Sequence, residues 1–279
     1  MFILFTSFAV VFNTAMGQYD HERQYNLDQI FFHSEFERAT VINYLEGNHR
    51  DQLDLLLAAG KNINQHKVEE YKQAFEEFIS DLKDKQKRYK KTHKFLEYLF
   101  FKVHRKFLKH YQNYVTVENL FEDKYYDCVV GSGFYALVLH RLGISYHIIE
   151  TNYHMFIMLE IDDKPYLLES TDPMDGFVYG FEKVMERLDR IKQRERTIET
   201  ENMNTAVFTY KYVIHKNIDL EELVGLQYFN LATIAYNEAN FEEAINCVQK
   251  GRLFYDSQRM KEMMRLIVNN YQNVAKNVE

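Results

Sequence analysis

The sequence predicts an α+β fold, and three observations carry that prediction. From Ser34 to about Gln112 apolar residues recur at three- and four-residue spacing, the mark of amphipathic helices. After Tyr126 the texture changes to short runs rich in β-branched and aromatic residues, separated by turn signals. Helical spacing returns after Asp219 and continues to the end of the chain. The expected organisation is a leader at residues 1–17, a helical region at 18–115, a small core of one buried helix plus antiparallel strands at 116–200, and a helical region at 201–279.

With 46% hydrophobic and 27% charged residues the chain has the material for a packed core, and a net charge of −7 gives no general reason to bind nucleic acid. Basic residues crowd the stretch from Asp81 to His110, where the acids are Asp81, Asp84 and Glu97. Solvated helix faces account for such a run. The opening FILFTSFAVVFNTAMG is uncharged and ends in a small-x-small pattern before Gln18, as in a secretory signal. An exported protein is expected, whether periplasmic, cell-surface or secreted, without a membrane span once the leader is removed. Two cysteines, Cys128 and Cys247, do not make a disulfide framework.

In the helical region Ser34 caps a helix through Leu45, and a short apolar helix runs from about Asp51 to Ala59. Val68, Tyr71, Phe75, Phe78, Ile79 and Leu82 mark the next helix, and Phe95, Leu99, Val103, Phe107 and Tyr111 the one after. The core opens on YDCVVGSGFYALVLHRLG, which has two readings. In one, YDCVV is a strand and Gly131-x-Gly133-x-x-Ala136 a dinucleotide turn, with Glu150 as the distant acid. The flanking segments supply no further strand–helix units for that reading. In the other, Asp127 caps a helix that begins at Cys128 and ends before Gly143, and the glycines admit close neighbours. A thiol in the first turn of a helix is favoured as thiolate by the positive helix end, while Asp127 opposes it.

SYHIIE, HMFIMLEI and YLLEST read as strands, with a tight turn at Asp162-Asp163. If that pair is the turn centre, facing positions sum to 325, and His154 lies opposite Thr171 and diagonal to Glu169. A turn one residue longer sets Asp172 opposite His154 instead. Helix-start cysteine, strand histidine and an acid on the next strand, in that order, resemble the transglutaminase-like branch of the papain-like cysteine enzymes across about Asn119 to Phe177. The resemblance implies acyl transfer from a peptide or protein amide: Cys128 attacks, His154 carries the proton, and Glu169 or Asp172 orients it. It has no tryptophan to offer the oxyanion, for which Tyr125 or Tyr126 and the Cys128 N–H stand as candidates. His147 reads as structural, and no cofactor or metal is expected.

A charged, exposed helix is expected from Phe181 to Arg196, and the segment Val207 to Ile214 is open between strand and helix. The unit YFNLATIAYNEANFEEAINCVQKGRLFYD then places Tyr228, Leu231, Ala232, Ala239, Phe241, Ala244 and Gly251 on the small and large positions of a repeat, with Asp219 capping its first helix. It resembles one tetratricopeptide unit, in which small residues let two antiparallel helices approach closely. A third helix, roughly Gln258 to Lys276, would cover it, and Cys247 reads as a core residue. The rival to an enzyme is a scaffold module in which this hairpin meets a protein partner and the thiol core is inert.

Overall fold

The computed structural model describes residues 27, 30–48, 51–204 and 215–276. The expected leader at residues 1–17 and the whole Val207 to Ile214 segment lie outside the described residues. The chain divides into two units, Met1–Phe31 and Phe32–Glu279. The helical regions and the sheet all belong to the second, as parts of one compact body.

That body is α+β. Helix α1 (Glu35–Leu45) starts at Ser34, whose hydroxyl accepts the Glu37 N–H, and α2 (Gln52–Ala58) starts at Asp51. Helices α3 (Gln65–Gln86) and α4 (Thr92–Lys106) bury the apolar stripes expected of them. Tyr111 does not continue the α4 stripe. The helix ends at Lys106, and Tyr111 lies exposed on a short strand, β1 (His110–Tyr111). After α5 (Val117–Glu122), strand β2 (Tyr125–Tyr126) runs parallel to β1.

Helix α6 (Cys128–Arg141) is buried from Val129 through Leu139. Asp127 caps it through a 2.8 Å bond from the Val130 N–H, and Gly143 closes it at φ 68°. The strand-and-turn reading of this stretch is therefore overturned: Gly131, Gly133 and Ala136 are interior to a helix and cradle nothing. A Cβ on Gly131 would meet Ser170 Oγ at 2.6 Å, and one on Gly133 would meet Leu223 at 2.8 Å. The glycines are there so that the sheet and a later helix can approach α6.

Strands β3 (His147–Thr151), β4 (Met155–Ile161), β5 (Lys164–Leu168) and β6 (Phe177–Tyr179) precede α7 (Phe181–Asn204), and β7 (His215–Ile218) completes an antiparallel sheet of order β6-β5-β4-β3-β7. Asp162 and Asp163 both take left-handed φ, 52° and 56°, as a two-residue hairpin turn demands. The β4–β5 register, with Ile157 facing Leu168 and Ile161 facing Lys164, keeps the sum at 325. Alternation gives the sheet two covered faces. Phe156, Leu167, Val184 and Ile191 form one cluster beneath α7, so that helix is not exposed all round. The other face packs on α6, with Ser170 against Gly131.

Helices α8 (Leu220–Asn237), α9 (Phe241–Phe254) and α10 (Gln258–Lys276) follow, and Asp219 with Glu222 forms a capping box at the start of α8. Helices α8 and α9 approach closely at Gly225 and Gly251, where a Cβ added to Gly225 would stand 2.8 Å from the Gly251 oxygen. Ala239 instead sits in the connecting turn at φ 58°. Three of four consecutive α8 residues tie this region to the rest. Gln227 bonds Leu56 and Val117, Tyr228 bonds Glu37, and Asn230 bonds Asp127, while Phe229 turns toward a cavity. No described helix is long and apolar enough to cross a membrane.

Candidate functional site

The start of α6 opens on a cavity of about 770 Å³, walled by the β3–β4 turn on one side and by α8 and α10 on the other. Cys128 and His154 both line it, with Arg259 of α10 and Tyr111 and Tyr114 at its rim. A second cavity of about 780 Å³, at His140, Tyr146 and Asp219, opens broadly to solvent and holds no thiol.

His154 stands at the end of a tight turn. Its N–H donates to Thr151 Oγ1 at 3.1 Å, and its carbonyl accepts from the Thr151 N–H at 2.9 Å. The ring Nε2 lies 2.9 Å from Glu169 Oε1, though not aligned for a linear hydrogen bond, so the pairing rests on charge and proximity. Glu169 is held on its other oxygen by Arg187 at 2.6 Å, and Arg194 approaches at 3.6 Å. Burial alone would raise the Glu169 carboxyl, but His154 and Arg187 outweigh it and hold the group below the usual carboxylate range. Asp172, the other candidate acid, is bound by Arg187 at 2.6 Å instead. Arg187 thus bridges both acids, and only Glu169 is paired with the imidazole.

Cys128 is half-buried at the cavity wall. Burial, then the Asp127 charge, pushes its thiol up to about 12, and Arg259 pulls it back in part. The lowered thiol expected from the helix end is therefore not what the surroundings produce. Asp127 itself is pushed up to about 6 by burial, against the backbone N–H groups that hold it down. Its second oxygen accepts from Asn230 Nδ2 at 2.8 Å.

The sheet sets a further condition. Glu169 meets Arg187 on the α7 side, whereas the next residue, Ser170, faces α6. Thiol and carboxylate therefore lie on opposite sides of the sheet, and the histidine turn at its end is what links them. Tyr125 and Tyr126, the oxyanion candidates, do not line the cavity; Tyr126 packs its ring against His104 and Tyr111. His147 is exposed and bonds Asn217 at 2.9 Å. Glu150, the acid of the dinucleotide reading, is buried between Tyr255 at 2.6 Å and Arg259 at 3.2 Å. No group of three or more His, Cys, Asp or Glu with a metal-binding arrangement occurs among the described residues.

Three site residues were missed in the sequence. Arg187 carried a readable signal, since it falls between Val184 and Ile191 on the apolar stripe of α7, where a lone arginine needs a buried acid. Arg259 and Asn230 carried none, because their partners are more than a hundred positions away. No protein-family model, no curated protein and no solved structure matches this chain.

Proposed function

We propose that the cavity at the start of α6 is the active site of a thiol-dependent amide hydrolase or acyl transferase with a transglutaminase-like core. The observation that carries this reading is that His154, with Nε2 engaged by Glu169, lines the same cavity as Cys128. Nδ1 is then the ring nitrogen left to act as base. Cys128 Sγ attacks the amide carbonyl of a peptide or protein, His154 takes the thiol proton and delivers it to the leaving amine, and water or a second amine releases the acyl group. The Cys128 N–H, at the wall of the cavity, suits the oxyanion better than Tyr125 or Tyr126, which do not line it. A thiol raised to about 12 rests protonated, so proton removal has to accompany attack.

A second reading, a non-catalytic binding cavity, is favoured by that same raised thiol and by the sheet standing between Cys128 and Glu169. Alkylation of Cys128 by iodoacetamide, followed by peptide mass spectrometry from pH 6 to pH 10, separates the two. The enzyme reading expects His154→Ala and Glu169→Gln each to slow Cys128 at least tenfold near neutral pH, a floor set below the roughly 100- to 10,000-fold worth of a general base in catalysis. A rate that climbs with pH like an isolated high-pKa thiol, indifferent to both substitutions, would establish the binding reading.

A further inference from the structure

We infer that Arg259 of α10 is a positioning residue of the thiol site, fixing the turn that presents His154 and supplying the cation that faces Cys128. This rests on the reading of the cavity as a thiol site, but it is tested apart from any histidine chemistry. Arg259 Nη2 donates to the Thr151 oxygen at 2.9 Å and to the Asn152 oxygen at 3.1 Å, clasping two successive carbonyls of the turn. The same nitrogen lies 3.2 Å from Glu150 Oε1, and the guanidinium stacks over Phe229 at 5.4 Å. Its side chain is only 12% exposed. One nitrogen reaches both carbonyls and the carboxylate while the flat guanidinium lies over the aromatic face, a division of edge and face that an ammonium lacks.

The charge reaches the thiol across the cavity that both residues line, and it is the cation that opposes Asp127 there. The titratable groups facing Cys128 are Asp127 at the start of its own helix, Glu150 from β3, His154 from the β3–β4 turn and Arg259 from α10. The phenols of Tyr111, Tyr114, Tyr153 and Tyr236 complete the titratable lining. Because Glu150 already answers the guanidinium charge, Arg259 is placed to organise the wall rather than to bind a substrate anion. The C-terminal helices thereby become part of the site, closing it from the side opposite the sheet.

The test is the pH–rate curve of Cys128 alkylation in the full chain carrying Arg259→Met or Arg259→Lys, with folding checked by circular dichroism. The expected result is a Met curve displaced to higher pH, with the rate at pH 8 down at least tenfold, and a Lys curve between it and the parent. Arg259→Met/Glu150→Gln covers the case in which the single variant is unfolded by its orphaned carboxylate; it should show the same displacement. Parent-like curves in folded variants would overturn the inference. A parent protein in which His154→Ala changes nothing defeats the hydrolase reading instead, and leaves the Arg259 displacement to be judged on its own.

Discussion

The two cysteines occupy surroundings that are alike in chemistry and opposite in access. Each sits in a helix, each has a carboxylate close by, and burial pushes each thiol up to about 12, followed by Asp127 at Cys128 and by Glu243 at Cys247. Cys247 is fully enclosed in α9 and donates to Glu243 Oε1 at 3.3 Å. Cys128 opens on a cavity that also holds a histidine and an arginine. Acidity alone would rank the two as equally inert. Only the placement of neighbouring bases and cations, and the room for a second molecule, separates a structural thiol from a functional one.

The largest way to break the contrast is to open the region around Cys247. Lys250, fully buried, donates to Glu37 Oε1 at 2.7 Å, and Tyr228 and the His33 N–H supply the rest of that carboxylate's partners. Lys250→Met strands the Glu37 charge, and removing one member of a buried pair costs about 3–5 kcal/mol. Urea unfolding should show that loss, and native-state labelling of Cys247 should rise toward that of Cys128. Glu37→Gln added to Lys250→Met should recover much of the stability. A single substitution costing under about 1 kcal/mol would mean that Glu37 is not held as a buried charge.

That pair also marks where sequence reasoning stops. The β4–β5 hairpin was legible because turn chemistry and alternation are local: Asp162 and Asp163 tolerate left-handed φ, and the register follows by counting. The caps at Ser34, Asp127 and Asp219 were legible for the same reason. Tyr111 was misplaced because four-residue spacing continues past Phe107, and nothing local reveals that the Lys109 and His110 N–H groups both go to Lys124 instead. Counting left Glu169 and Asp172 both open as the partner of His154, and the structure pairs it with Glu169. The sign of the thiol shift could not be counted, because burial and Asp127 set it, with an arginine 131 positions away opposing them.

The next effect lies at the contact between the thiol helix and the acid strand. A Cβ on Gly131 would stand 2.7 Å from Ser170 Cβ, so Gly131→Ala must push α6 from the strand end that carries Glu169. Overpacking costs about 1–3 kcal/mol, and the helical preference of alanine over glycine returns about 1 of it. Stability should fall modestly while Cys128 alkylation loses its dependence on His154. Unchanged alkylation would show that the spacing of α6 from the strand is slack.

Smaller again is Asp127→Asn, which sharpens the electrostatic half of the contrast. Removing the charge beside Cys128 should lower its thiol pKa and speed alkylation near pH 8 severalfold, with Cys247 unaffected. There is a stability signature as well. The folded Asp127 sits at about 6, above its ordinary value, so its contribution is fully present below the unfolded pKa and is lost as pH rises through about 6. The stability of the variant relative to the parent should therefore improve between pH 4 and pH 7, read from urea midpoints. A constant difference across that window would show that Asp127 is not shifted.

The smallest expected effect is at Cys247 itself, and it is the cleanest control on the whole contrast. Cys247→Ala deletes one buried heavy atom, and Glu243, which accepts from it, keeps His33 Nε2 at 2.8 Å with Lys61 at 3.9 Å. The carboxylate is therefore not orphaned, and the cost should be the void alone, about 1 kcal/mol. The void lies outside the cavity, since neither Cys247 nor Glu243 lines it. The pH–rate curve of Cys128 should then superimpose on that of the parent. A displaced curve would mean that the α8–α9 pair transmits packing changes through Asn230 to Asp127, and the two thiols would have to be treated as one coupled system.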